Sequence, residues 1–98
     1  MTIKEATAQV KDLAARHEGK LNATAKLELM EGVIFLDDTV SPSIISNENR
    51  EAQCTIKISM ENLSKLISGD LNPMMAFMGG KMKIEGDKSI AMRLSSIF

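Results

Sequence analysis

Few residues in this chain could make or break bonds. There is one cysteine, Cys54, and one histidine, His17, with no tyrosine and no tryptophan. His17 closes a helical stripe and has no carboxylate or serine beside it in sequence. An imidazole near a helix C-terminus is favoured by the dipole, so His17 reads as structural or solvated. Cys54 falls on the inward side of the alternating run Ala52, Cys54, Ile56, Ile58. Burial raises a thiol pKa and leaves it a small hydrophobe rather than a nucleophile. Asp37 and Asp38 are adjacent at the end of an extended segment, so they point to opposite faces and cannot share a proton as an acid/base pair. They read as turn residues. Gly79-Gly80-Lys81 lacks the spacing and the following Ser or Thr of a phosphate loop. The sequence therefore points to no catalytic residue, no metal site and no cofactor.

The unusual feature is methionine: 8 residues, against 3 phenylalanines as the whole aromatic complement. Met74, Met75, Met78, Met82 and Met92 all lie in the last third of the chain. Methionine is flexible and polarizable, and it tolerates varied shapes. Such a cluster either fills a core short of aromatics or lines a cavity that accepts apolar ligands of loose shape.

The elements that must position these residues are legible. Thr2 and Glu5 form a T-x-x-E capping box before Ile3, Ala6, Val10, Leu13, Ala14 and His17, one stripe of a helix over 3–17 that Gly19 stops. From 21 to 29 the period becomes two, with Leu21, Ala23, Ala25, Leu27 and Leu29 on one side. Glu31-Gly32 turns into Val33–Leu36, apolar on both faces and so expected centrally. After Pro42 come a short strand at 43–46, a polar turn at 47–51 and a strand bearing Cys54, Ile56 and Ile58. Ser59 caps a helix with Met60, Leu63, Leu66 and Ile67, ended by Gly69. Asn72 caps a shorter one with Pro73 in its first turn. Lys81–Glu85 alternates with Met82 and Ile84 inward. Asp87 opens a last helix carrying Ile90, Ala91, Leu94, Ile97 and Phe98. The pattern is an α+β domain over 1–98, with helices on one face of a mainly antiparallel sheet.

Charge narrows the partners. Twelve Lys and Arg against 13 Asp and Glu give a net −1, with no basic stripe for nucleic acid and no polybasic membrane anchor. No run reaches the roughly 18–20 apolar residues of a membrane span. The first residues lack the apolar centre of a signal peptide. With a lone thiol, these features lead to an expected cytoplasmic location and at most transient membrane contact.

Residues 52–94 carry a resemblance. Ala52-Gln53-Cys54-Thr55-Ile56, then Gly69 to Asp87 with its Gly-x-Leu-x-Pro, Ala-Phe and Gly-Lys-x-Lys-Ile-x-Gly pieces, then Ala91-Met92-Arg93-Leu94, resemble the sterol carrier protein type-2 domain. That family is also called the non-specific lipid-transfer domain. The resemblance implies a five-stranded sheet covered by helices and enclosing an apolar tunnel for fatty acids, fatty acyl-CoA and sterol-like lipids, without catalysis. By position, Pro73, Ala76 and Phe77 resemble the family's short helix near the tunnel. Gly80, Lys81, Lys83, Ile84 and Gly86 resemble its last turn and strand, and Met92 and Leu94 its closing helix. Two departures stand out: Gln53 replaces the usual Asp, and Arg93 the usual Lys. The inward residues give an expected ligand lining of Phe35, Ile56, Leu63, Leu66, Met74, Phe77, Met78, Met82, Ile84 and Met92. The expected function is non-catalytic lipid binding and transfer. The alternative is a module with a closed core that forms a homodimer or docks on a lipid-metabolising enzyme. A third reading, an enzyme on a lipid or CoA ester, has only Cys54 as its nucleophile.

Overall fold

A computed structural model describes residues 1–98. The order is α1 (Ile3–Arg16), β1 (Thr24–Leu29), β2 (Gly32–Asp37), β3 (Ile44–Ser46), β4 (Cys54–Ile58), α2 (Met60–Ser68), α3 (Pro73–Met78), β5 (Met82–Gly86) and α4 (Lys88–Ser95). Each helix starts where a side chain answers its free N–H groups. Thr2 and Glu5 exchange both bonds of the capping box. Ser59 Oγ accepts from Asn62 N at 3.1 Å, Asn72 Oδ1 from Met74 N at 2.9 Å, and Asp87 Oδ1 from Ser89 N at 2.9 Å. α2 ends on Gly69 in the left-handed region, φ 86°. α1 ends before Gly19 is reached: His17 is its C-cap, and its Nδ1 lies 3.0 Å from the Leu13 carbonyl oxygen.

The strands form one sheet in the order β3-β2-β1-β4-β5. β1–β2, β2–β3 and β4–β5 are antiparallel, while β1 and β4 run parallel. β2 is an inner strand, as its two apolar faces require, but the centre belongs to β1. Ala25, Leu27 and Leu29 of β1 share a face with Ile34 and Leu36 of β2, Cys54, Ile56 and Ile58 of β4, and Met82 of β5. The inner faces of all four helices close on that side in a single apolar cluster.

Two sequence-based expectations change. β1 starts at Thr24, three residues later than the alternation suggests. Leu21 and Ala23 are buried, but Asn22 adopts φ 46° and breaks the strand. The cause is Asp38. Its carboxylate is only 5% exposed. It accepts from the backbone N–H of Gly19 (3.0 Å), Leu21 (2.9 Å) and Asn22 (2.8 Å), and from the Ser43 hydroxyl. It is more than a turn residue: it folds the α1–β1 connection onto the end of β2. Burial pushes its pKa up, but the Ser43 hydroxyl and the three N–H groups outweigh that and hold it below the usual carboxylate range.

Candidate functional site

Between the covered sheet face and α2, α3 and α4 lies an apolar cleft. Leu27, Ile56, Ile58 and Met82 form its sheet wall, and Leu63 and Leu66 of α2 face them. Pro73 at the start of α3, Ala91, Leu94 and Ser95 of α4, and Phe98 complete it. Nine of these 11 residues are hydrophobic and none is charged. The Ser95 hydroxyl is already committed, donating to the Met92 carbonyl at 2.7 Å. The walls nearly touch: the free space between them is about 10 Å³, room for a single water. The expected tunnel is here a closed apolar cleft.

The sequence-expected lining divides sharply. Ile56, Leu63, Leu66 and Met82 are brought together in the cleft. Ile84 shares their face, opposite Ile56, and packs half-buried against the core beyond the cleft. Phe77 is also half-buried outside it, with Lys88 Nζ 5.9 Å from its ring centroid. Met74, Met78 and Met92 point outward and are exposed. Phe35 lies on the opposite side of the sheet. Its register partners are Lys26 and Ser46, both one step out of phase with the inward residues. It is nevertheless 3% exposed, because the 47–51 segment folds over it. The Arg50 guanidinium sits 5.1 Å above its ring, and Asn49 Oδ1 accepts from Lys26 Nζ at 3.0 Å. Phe35 is thus the anchor of a covering loop, and strand parity keeps it from the cleft.

The expected lining left out Leu27, Ile58, Pro73, Ala91, Leu94, Ser95 and Phe98. The first two could have been found from alternation alone, being inward residues of the strands that supply the wall. Gly86 and Arg93 have structural roles. Gly86 has φ 88°, and a Cβ there would run into the Gln53 carbonyl oxygen. That oxygen accepts from Asp87 N at 2.9 Å. Arg93 Nη1 donates to the Leu21 carbonyl at 2.9 Å, tying α4 to the approach of β1. Gln53, where the family usually has a carboxylate, accepts from Thr24 N at 3.0 Å through Oε1 and donates its own N–H to Thr24 Oγ1 at 3.0 Å. It clips the starts of β1 and β4 together.

The chemistry of the cleft is that of apolar surface. Cys54 is fully buried, and burial pushes its thiol up; the nearby Asp87 charge adds to this, while a backbone hydrogen bond from Ala91 opposes it. It is held as a protonated thiol, the wrong form for attack. No three His, Cys, Asp or Glu side chains come together as a metal site.

The relatives agree with this architecture. Rabbit (Oryctolagus cuniculus) sterol carrier protein 2 is 40% identical over 55 residues, 56% of this chain and 10% of the relative. This chain thus spans about a tenth of the length of the curated relative it matches. The solution structure of sterol carrier protein domain 2 of Helicoverpa armigera superposes with a TM-score of 0.75 at 24% identity, covering 96% of this chain and 82% of that one. The palmitated SCP2L2 of Aedes aegypti gives 0.65 at 17% identity, covering 99% and 94%. The family model described as the SCP-2 sterol transfer family matches residues 2–98, so the chain belongs to that family.

Proposed function

We propose that this domain binds and transfers single lipid molecules, of the fatty acid, fatty acyl-CoA or sterol-like kind, in the cleft between β1, β4, β5 and α2–α4. The observation that carries the reading is a continuous apolar lining with no charged group in it. A ligand held there gains from burying its own hydrocarbon, at about 0.8 kcal/mol per methylene. Selectivity is loose, because the one polar side chain at the cleft, Ser95, is committed to the Met92 carbonyl and no charged group converges there to reject a poor fit. Membership of the SCP-2 sterol transfer family and the palmitated state of the mosquito relative support the same ligand class.

The closed walls fit this function. A void large enough for a lipid, about 300 Å³, costs roughly 7 kcal/mol if left empty. That is comparable with the whole stability of a small domain, about 5–15 kcal/mol. A cleft that closes without ligand avoids the cost. Lipid then parts α4 and Phe98 from the sheet, with Met82 adjusting its rotamers. The same small free space supports a second reading, a docking or dimerisation module with a permanently closed core serving a lipid-metabolising enzyme. We place the domain in the cytoplasm; no helix in it is long and apolar enough to cross a membrane.

Native mass spectrometry of detergent-free protein, followed by solvent extraction, separates the two. The carrier reading expects a stoichiometric lipid adduct, or uptake of added fluorescent fatty acid into protein that arrives bare. Bare protein that also refuses the added ligand overturns it in favour of the closed module.

A further inference from the structure

We propose that the free edge of β5 pairs with the same edge of a second copy of this chain, antiparallel and about a two-fold axis through Ile84. The sheet ends at β5, which has β4 on one side and no strand on the other. The phase of the β4–β5 ladder shows which backbone groups are spare. Asp87 N donates to the Gln53 carbonyl at 2.9 Å, one step beyond the Cys54–Gly86 pair. Bonded and unbonded pairs alternate along an antiparallel ladder. The backbones of Lys83 and Glu85 therefore bond to Lys57 and Thr55, while Ile84 turns its N–H and C=O outward to the edge. No turn, loop or cap elsewhere in the chain satisfies them. An edge with spare amides is a template for another strand.

The side chains select the occupant. Lys83 and Glu85, of opposite charge, flank Ile84 at equal distance. Both are exposed on the sheet face away from the helices, because Met82 and Ile84 take the other. An antiparallel copy centred on Ile84 sets its Glu85 against Lys83 and its Lys83 against Glu85. With Ile84 bonded to Ile84 of the second copy, both charge pairs fall at unbonded positions, where facing side chains come closest. A two-fold axis through Lys83 or Glu85 would instead set a charge against itself. The charges thus fix the register as well as the partner.

Within one copy Lys83 is poorly served. Its direct neighbour on β4 is Lys57, a like charge. Glu85 reaches Lys57 Nζ at 3.4 Å, and none of the ion pairs of the chain includes Lys83. Glu85 of the second copy supplies the missing partner. The opposite edge of the sheet has no such complementarity: β3 is three residues long, Ile44–Ser46, and carries no charge. A net charge of −1 adds little repulsion between copies. The pairing stands on the sheet edge alone and holds whether the cleft opens for lipid or stays closed.

The test is sedimentation velocity of the full chain from about 10 μM to about 1 mM, the range suited to a small interface. Wild type, Lys83→Glu, Glu85→Lys and an equimolar mixture of the two variants are compared. Wild type is expected to dimerise with rising concentration, less so at high salt. By symmetry each reversal spoils both charge pairs, so each variant alone should dimerise at least about tenfold more weakly. In the mixture every reversed charge meets an opposite one, and dimerisation at wild-type strength should return. That recovery also shows both variants to be folded, with far-UV circular dichroism as a check. Wild type that stays monomeric over the whole range overturns the proposal. So does a wild-type dimer that neither reversal weakens, which assigns the contact to another surface. A mixture no stronger than its components overturns the register.

Discussion

Leu63→Ala offers the sharpest test of the cleft. Leu63 is fully buried at 0% exposure, and its side chain forms the α2 wall of the cleft. Leu→Ala substitutions in cores cost about 2.7–5.0 kcal/mol, more where the surroundings cannot collapse into the space. Here the deletion joins a gap that already exists, so the cost belongs in the upper half, about 4 kcal/mol. In a domain of this size each kcal/mol shifts Tm by about 4–8 °C, giving a drop of roughly 16–32 °C. The variant is predicted to differ from an ordinary core deletion in one way: the new space is contiguous with the proposed lipid site. Lipid should therefore enter without first prising the walls apart. At a free ligand concentration of about 100 times Kd, binding contributes about 2.7 kcal/mol, enough to recover much of the loss. The assay is thermal unfolding by circular dichroism, with and without saturating fatty acid. Leu21→Ala is the control, since Leu21 is equally buried but does not line the cleft. A larger ligand-induced rise in Leu63→Ala than in Leu21→Ala is expected. Equal rises, or none in either, would refute the location of the site.

Three further outcomes follow from the structure. Asp38 has a depressed native pKa, so its stabilisation is complete above the unfolded value near 3.9 and is lost as pH falls through the lower native value. Urea midpoints measured from about pH 6 down to about pH 3 should fall less steeply for Asp38→Asn than for wild type; parallel curves would count against the carboxylate. Asp38→Ala leaves one buried and two part-buried N–H groups without their acceptor. It should cost about 3 kcal/mol at neutral pH, read by the same titration. Gly86→Ala combines a left-handed φ with a clash against the rigid Gln53 backbone. A loss of about 3 kcal/mol is expected, and a change under about 1 kcal/mol would show that the β4–β5 junction yields easily.

What was legible in the sequence was whatever has a local cause. Thr2, Ser59, Asn72 and Asp87 announce helix starts because capping is a contact between near neighbours. Cys54, Ile56 and Ile58 announce their face because strand parity is geometric. The failures concern residues whose fate depends on distant partners. Phe35 sits in a strand apolar on both sides, and only the register with Lys26 shows that it faces away from the helices. α3 is apolar almost all round, so no periodicity distinguishes Ala76, buried, from Met78, exposed. Asp38 reads as a turn residue because its partners at Gly19, Leu21 and Asn22 precede it by a whole hairpin. In the cleft itself, Ile56, Leu63, Leu66 and Met82 were expected from their patterned elements, whereas the equally patterned Leu27 and Ile58, and Ala91 and Leu94 on the last helix, were left out of the expected lining.

The parallel pairing of β1 with β4 sets a timetable for the chain. Ala25 pairs with Cys54, and Lys26 with Thr55, across the whole of β2, β3 and the covering loop. An antiparallel hairpin such as β1–β2 can close early, at small entropic cost, but the β1–β4 seam must wait for a much larger loop to be ordered. Until it forms, the central strand of the finished sheet is an open edge, with unpaired amides beside Leu27 and Leu29. The Thr24–Gln53 clip stands at the mouth of that seam. A nascent chain released before β4 has emerged therefore exposes the strand most able to recruit a stranger, and the vulnerability of this fold to aggregation lies at its middle, in the interval before its halves meet.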